Sequence, residues 1–86
     1  DDTTQDITGQ TGQILAVIDK LLATAGTDKT RILMAQIFVA NMKEFDGMNK
    51  AWDAWVAEGN APPRATIEAR LASADYKVEI VVTAAV

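Results

Sequence analysis

Two charged residues lie in segments that favour β-strands. Arg64 follows Pro62 and Pro63 at the start of "RATIEAR", and Glu79 lies inside the apolar run "KVEIVV". The chain has no cysteine and no histidine, which excludes a thiolate nucleophile, a Ser-His-Asp triad and the usual zinc ligand sets. Any chemistry must therefore come from arginine, lysine, acidic residues, tyrosine or the backbone, and we expect no metal site and no cofactor.

Length and charge limit the classes of protein to consider. A chain of 86 residues makes one domain, 1–86, and buries only roughly 60–65% of its unfolded surface, so partner subunits are an expected source of core. The net charge of −4 gives little attraction for nucleic acid. No apolar run reaches the ~20 residues of a membrane span, and the opening "DDTTQD" is the reverse of a signal peptide's basic start. We expect a cytoplasmic protein that binds neither nucleic acid nor membranes.

Two segments have the periodicity of amphipathic helices. The first runs from about 7 to 25, with Asp6 as its N-cap and Gly26 at its C-terminal end. The second runs from about 43 to 58 and ends before Gly59. We interpret the apolar stripe of the second helix as core packing rather than a ligand pocket. The two predicted stripes are Ile7, Ile14, Val17, Ile18, Leu21 and Leu22, and Met42, Phe45, Met48, Trp52, Trp55 and Val56.

Three segments favour strands, which makes the predicted order α-β-α-β-β. Residues 30–40 are apolar at both odd and even positions, so this strand is expected to be covered on both faces. Segments 64–70 and 77–86 alternate in polarity. A strand, a helix and another strand imply a crossover with 30–40 and 64–70 parallel. From the pattern alone, we would pair the last two strands as a hairpin.

The run "ILMAQIFVANMKEFDGMNKAWDAWVAEGNAPPRATIEARLASADYKVEIVVTAA" resembles the YjgF/RidA family of enamine/imine deaminases, also called L-PSP endoribonucleases, and in particular its YoaB-like branch. Its most specific parts are "MNKAWDAW", "APPRAT" and "KVEI". The resemblance implies an α+β fold like that of the trimeric chorismate mutase, with a mixed sheet, two helices on one face and a homotrimer. It also replaces the hairpin by an antiparallel pairing of the last strand with 30–40.

The resemblance further implies that a segment is missing. In the family, the last strand lies between the 30–40 strand and an N-terminal strand, and the opening hairpin of the family would precede Asp1. We therefore expect that the 86-residue chain is not the complete folding unit. A missing N-terminal segment, or an equivalent strand from another copy, is expected to cover the open edge, since open edges promote aggregation.

Carried over by position, the resemblance makes Arg64 and Thr66 substrate-binding residues and Glu79 the catalytic glutamate. A guanidinium matches a carboxylate bidentately, which suits anchoring a 2-imino or 2-keto acid, and Glu79 would hold or activate the water that adds to the imine carbon. The implied function is hydrolysis of 2-imino or enamine acids to 2-keto acids and ammonia. Ala65 and Thr66 stand where other members often carry Ser and Cys or Val, which bears on substrate preference.

Several alternatives remain open. The same Arg64 pocket would serve a non-catalytic keto-acid sensor, whereas the acidic balance disfavours endoribonuclease activity. Arg64 and Glu79 can also be ordinary surface or salt-bridged strand residues. We interpret Glu68 and Arg70 as an exposed charged face, Asn49 as a structural residue that bonds to backbone, and "DDTTQD" as a frayed terminus rather than a cation loop.

Strand direction separates the two principal site residues. Arg64 opens a strand parallel to 30–40, and Glu79 lies near the start of a strand antiparallel to it. At about 3.3 Å per residue, their separation within one subunit is on the order of 15–20 Å. A small keto acid cannot span this distance, so a shared pocket requires Arg64 of one chain and Glu79 of a neighbouring chain.

Overall fold

The computed structural model describes residues 5–56, 59 and 61–86. The predicted order of helices and strands and the α+β class are confirmed, and most boundaries move inward by one or two residues, as is usual at the ends of helices and strands. Two single 3₁₀ turns, Lys29–Arg31 and Met42–Glu44, precede β1 and α2. The helices and strands are α1 (Ile7–Thr24), β1 (Ile32–Val39), α2 (Phe45–Trp55), β2 (Arg64–Glu68) and β3 (Val78–Ala84).

The three strands form one mixed sheet in the order β2-β1-β3. β1 is parallel to β2 and antiparallel to β3. The hairpin suggested by the sequence pattern is therefore wrong, and the pairing implied by the family resemblance is confirmed. The physical reason lies in β1, which is the most deeply buried strand and must satisfy its backbone hydrogen bonds along both edges.

The core lies between the sheet and the two helices. Ala35, Ile37 and Val39 of β1 are fully buried against this helical layer, together with Met48 of α2. The opposite face of the sheet has no cover from the described residues. Three of its apolar side chains, Met34, Ile67 and Val81, are between 45% and 47% exposed. The expectation of a strand covered on both faces is thus not met within one chain.

Helix α1 is capped as the sequence predicts. The Asp6 carboxylate accepts a hydrogen bond from the Gly9 amide at 2.9 Å, and Gly26 follows the helix with φ of +82°, a conformation that favours glycine. The predicted buried face is only partly correct. Leu15 is buried, whereas Val17 and Leu21 are exposed, because the helix buries a narrower stripe than its apolar residues cover.

Helix α2 follows the 3₁₀ turn Met42–Glu44, which Asn41 caps through a hydrogen bond from the Lys43 amide at 3.0 Å. Met48 and Trp52 of the predicted stripe are buried, and Phe45, Trp55 and Val56 are half-buried against the core. Met42 is exposed because it belongs to the turn rather than the helix. The predicted helix end at 57–58 lies outside the described residues. No helix in the described part of the chain is long and apolar enough to cross a membrane.

A buried glutamine ties α1 to the connection between β2 and β3. The Gln10 amide donates to the carbonyl oxygen of Asp75 at 3.1 Å and to that of Gln5 at 3.2 Å. Its side-chain oxygen accepts from the Lys77 amide at 2.9 Å. Gln10 is only 6% exposed. These bonds therefore form in a poorly solvated environment, where unpaired polar groups are costly.

The connection between α1 and β1 contains a small acidic cap. Asp28 accepts hydrogen bonds from the hydroxyl of Thr30 and from its backbone amide, the latter at 2.9 Å. Both bonds lower the pKa of the Asp28 carboxyl below its ordinary value, and the bond from the hydroxyl has the larger effect. The cap starts the 3₁₀ turn that leads into β1.

The two helices approach each other closely at Gly47. The Thr8 hydroxyl donates to the Gly47 carbonyl oxygen at 2.8 Å. A Cβ atom added at Gly47 would lie 2.7 Å from Cγ2 of Ile7, and Ile7 is a buried, β-branched core residue that cannot easily move away. Glycine is therefore required here by contact between the helices, in contrast to Gly12, where an added Cβ meets no atom within 4 Å.

We expect these two glycines to respond oppositely to alanine. Gly12→Ala should raise the free energy of unfolding by about 0.5–1 kcal/mol, since alanine is the better helix former. Gly47→Ala should lower it by about 1–2 kcal/mol, because overpacking outweighs the same gain in propensity. Urea denaturation at one fixed protein concentration measures both. Equal effects of the two substitutions would show that the helices do not meet closely at Gly47.

Candidate functional site

Arg64 is the first residue of β2 and lies beneath α2. It pairs in register with the buried Ala35 of β1, so its side chain is on the face of the sheet that the helices cover. The residue is half-buried. Its polar head therefore lies at the border between the helical layer and solvent.

Three side chains of α2 surround the guanidinium. Phe45, Asn49 and Trp52 are four and three residues apart, a spacing that places them on one face of a helix. The guanidinium carbon of Arg64 is 5.7 Å from the ring centroid of Phe45 and 5.5 Å from that of Trp52, within the range of cation–π attraction. Between the two rings, Nη2 of Arg64 donates a hydrogen bond to Oδ1 of Asn49.

One nitrogen of this guanidinium has no partner among the described residues. Nη1 of Arg64 is buried and makes no hydrogen bond, and no carboxylate of the described residues lies within ion-pairing distance of it. A buried donor without an acceptor is costly. Within the described residues, the positive charge is stabilised by aromatic faces and a neutral amide, and no carboxylate neutralises it.

Thr66 shares this face of β2. It pairs with the buried Ile37 of β1 and is half-buried. Two residues along a strand correspond to about 6.6 Å, so Thr66 lies on the same side as Arg64 and one step further along the strand. The two predicted substrate-binding residues are thus on one surface.

Glu79 lies elsewhere. It is exposed and pairs with Phe38 of β1, which places its side chain on the open face of the sheet, opposite to Arg64. The register offset from Ala35 to Phe38 corresponds to about 10 Å along the strands, and two strand spacings add about 10 Å across them. Their combination, on the order of 14 Å, is slightly shorter than expected, but within one chain the two residues do not share a pocket.

Glu79 contributes to a groove of about 300 Å³ that runs along β3. Apolar side chains of α1, β3 and the preceding connection form most of it. A larger groove of about 690 Å³ lies next to it, beside the connection that follows β2, and shares Leu71 and Tyr76 with the first. Neither groove includes Arg64. The residues that line the smaller groove are Ile14, Leu71, Tyr76, Val78, Glu79 and Ile80.

Glu68 has a specific structural contact that the sequence did not predict. Both Glu68 and Arg70 are exposed, as expected, but Oε1 of Glu68 accepts a hydrogen bond from the Met42 amide at 2.8 Å. This bond fixes the start of the 3₁₀ turn that precedes α2, and with it the helix above Arg64. Among the described residues, no three acidic side chains gather in a way that could hold a metal ion.

The comparisons with known proteins agree with this architecture. A model of the family described as "Endoribonuclease L-PSP" matches residues 2–86. The chain belongs to the endoribonuclease L-PSP family. This match confirms the family resemblance drawn from the sequence. The family is also known under the names YjgF and RutC.

Relatives in this family cover most of the chain. A RutC family protein from Haemophilus ducreyi is 59% identical over 85 residues, which are 99% of this chain and 73% of that protein. The RutC family protein YoaB of Escherichia coli is 52% identical over 90% of this chain and 68% of its own length. A solved structure from Salmonella typhimurium, 48% identical, superposes with a TM-score of 0.97 over all of this chain and 75% of its own.

A more distant relative has a named activity. The 2-iminobutanoate/2-iminopropanoate deaminase of Salmonella typhimurium is 28% identical over 88% of this chain and 61% of that protein. This chain spans between 61% and 75% of the length of the four proteins compared.

Three residues of the candidate site were not recognised from the sequence. Phe45 and Trp52 were interpreted as core residues, and Asn49 as a structural residue that bonds to backbone. In the structure Asn49 bonds to two side chains instead, to Arg64 and, through Nδ2, to Oδ2 of Asp53 at 3.2 Å. Their helical spacing was visible in the sequence, but their proximity to Arg64 depends on how α2 crosses the sheet.

An apolar replacement tests whether Arg64 is present for binding or for stability. We expect Arg64→Met to leave the free energy of unfolding unchanged within about 1 kcal/mol, because relief of the unpaired Nη1 offsets the lost cation–π and hydrogen-bond contacts. Met48→Ala, which opens a cavity in the core, should cost about 2–5 kcal/mol in the same urea titration. A comparably large loss for Arg64→Met would identify the arginine as a structural residue.

Proposed function

We propose that this protein hydrolyses 2-imino or enamine acids to 2-keto acids and ammonia. A water oxygen adds to the imine carbon, a proton passes to the nitrogen, and cleavage of the carbon–nitrogen bond releases ammonia and leaves the keto group. These substrates hydrolyse spontaneously in water, so the protein needs only to orient the acid, supply a water and ease proton transfer. We also propose that the protein is cytoplasmic.

The observation that carries the proposal is the environment of Arg64. Its guanidinium lies against two aromatic rings, bonds to one neutral amide and has a buried nitrogen for which the described residues provide no acceptor. A substrate carboxylate would supply that acceptor and neutralise the charge. The named imine deaminase among the more distant relatives supports the choice of substrate class, and Thr66 would line the same side of the pocket.

The proposed role of Glu79 requires a second chain. Within one chain, Glu79 is on the open face of the sheet and Arg64 on the covered face. We propose that Glu79 of a neighbouring subunit completes the pocket and holds or activates the attacking water. The assembly would be a homotrimer. In such a cleft, the opposite charge of the arginine would offset part of the cost of desolvating the carboxylate.

The open surfaces of the sheet support assembly. Half-exposed apolar residues such as Met34, Ile67 and Val81 form one uncovered face, and patches of this kind mark contact surfaces. In the described part of the chain, β3 pairs along one edge only. We propose that neighbouring subunits cover the face, and that an N-terminal segment of the protein or a strand of another copy pairs with β3.

A keto-acid sensor is the second candidate. It is favoured by the separation of Arg64 and Glu79 in one chain, because carboxylate binding requires only the arginine pocket. An endoribonuclease is disfavoured by the net charge of −4, which opposes binding to a polyanion.

The first test measures ammonia release from 2-imino acids that an L-amino acid oxidase generates in the assay. The wild type should accelerate release above the rate without protein, and Arg64→Ala should lose about tenfold to hundredfold, since a charge-assisted contact is removed. Arg64→Lys should also be poor, because an ammonium keeps the charge but not the planar fork.

Arg70→Ala is the matched control, since it removes an exposed arginine close in sequence and should leave the rate unchanged. Circular dichroism establishes that each variant is folded. If Arg64→Ala is folded and as active as the wild type, the proposed role of Arg64 is wrong. Binding of 2-oxobutanoate by a wild type that releases no ammonia would favour the sensor.

A mixing experiment tests the shared site. Arg64→Ala and Glu79→Ala proteins are each expected to be weakly active, but subunit exchange should restore activity in mixed assemblies, because one pocket then receives an intact residue from each chain. The activity of the mixture is compared with that of each variant alone, and native mass spectrometry follows exchange. Demonstrated exchange without any gain in activity would contradict a pocket shared between subunits.

A further inference from the structure

We infer that Asn49 is a positioning residue that holds the Arg64 guanidinium in place without cancelling its charge. The inference rests on the proposed function, in which that charge binds a carboxylate. It assigns Asn49 a task in the site that neither the family match nor the named relatives specify.

The orientation of the Asn49 side chain is fixed from both ends. Its Nδ2 donates to Oδ2 of Asp53 at 3.2 Å, one helical turn further along α2. Because the amide nitrogen is engaged there, the amide oxygen must point the other way, where it accepts from Nη2 of Arg64. The carboxylate of Asp53 thus bonds to a neutral amide, which in turn bonds to the arginine.

The neutrality of this contact matters for anion binding. A carboxylate at position 49 would meet the guanidinium with full opposite charge and compete with a substrate for it. An amide oxygen accepts a hydrogen bond equally well in geometry but leaves the net positive charge in place. The rings of Phe45 and Trp52 act in the same direction, since they attract the cation through their faces without adding a negative charge.

Substitutions at position 49 therefore separate two properties, the order of the Arg64 guanidinium and its net charge. Substitutions of a purely structural residue would not separate them. Asn49→Ala removes the hold on Arg64, while the helix itself persists because alanine is a better helix former than asparagine. Asn49→Asp keeps the shape and the acceptor for Nη2 of Arg64 but adds a negative charge beside the guanidinium, and it gives up the hydrogen bond that Nδ2 donates to Asp53. Lys50→Gln is the matched control, because it changes the net charge by the same amount at an exposed position of the same helix.

The first arm of the test follows the guanidinium directly by NMR with ¹⁵N-labelled arginine. The chain has arginines at positions 31, 64 and 70, so Arg64→Ala assigns the relevant signal by its loss. The Arg64 side-chain NH signals should exchange slowly with water in the wild type, in Asn49→Asp and in Lys50→Gln. In Asn49→Ala they should broaden, because the guanidinium moves and becomes hydrated.

The second arm titrates the same proteins with 2-oxobutanoate, a stable keto acid. Asn49→Ala should bind about three- to tenfold more weakly, as expected for loss of one hydrogen bond that orders the site. Asn49→Asp should bind at least about tenfold more weakly, because the new carboxylate neutralises the guanidinium charge that binds the keto acid. Its arginine should nevertheless stay ordered. Lys50→Gln should bind like the wild type, and 2-butanone, which lacks the carboxylate, should not distinguish any of them.

The two arms separate failure of the inference from failure of the proposed function. Undiminished affinity of Asn49→Asp for 2-oxobutanoate, or an unchanged Arg64 signal in Asn49→Ala, would overturn the role of Asn49. A wild type that neither binds the keto acid nor releases ammonia would refute the proposed function, and the NMR signals would then decide alone whether Asn49 positions Arg64.

Discussion

The parallel pairing of β1 with β2 is the constraint on which the rest of the structure depends. Parallel neighbours cannot be joined by a tight turn, so the chain must cross from the end of β1 back to the start of β2. Helix α2 makes this crossing above the sheet. Asn49 and Arg64 are 15 positions apart in sequence, and the crossover brings them into contact. The contact between Asn49 and Arg64 is therefore a direct product of strand direction.

The same sheet divides the candidate site between two environments. Arg64 lies on the face that the helices cover, where aromatic rings and limited hydration strengthen its attraction for an anion. Glu79 lies on the open face, in contact with solvent. A single chain thus places the guanidinium of Arg64 on one face of the sheet and the carboxylate of Glu79 on the other. Under the proposed function, substrate specificity depends on the face of the sheet that the helices cover, and the chemistry depends on the side chain that a neighbouring subunit presents to that face.

The sequence predicted the helices and strands but only part of their arrangement. Helical periodicity and capping residues identified α1 and α2, because these signals are local. The hairpin between β2 and β3 was wrong, since alternation reveals which face a residue occupies but not which strand is its partner. The contact between Asn49 and Arg64 was missed for a similar reason, as neither residue type specifies a partner that the crossover selects. Leu15 is buried and Leu21 is exposed because of the angle at which α1 lies on the sheet, and composition does not specify this angle.

The strand order also affects how the protein folds during synthesis. β1 is central in the sheet, but one of its edges is satisfied by β3, which follows it by about forty positions in the chain. Until the ribosome has released β3, a nascent chain can form α1 and the β1-α2-β2 unit while the other edge of β1 exposes its backbone groups. In the interval between the synthesis of β2 and the docking of β3, this open edge of β1 leaves the nascent chain exposed to incorrect strand pairing.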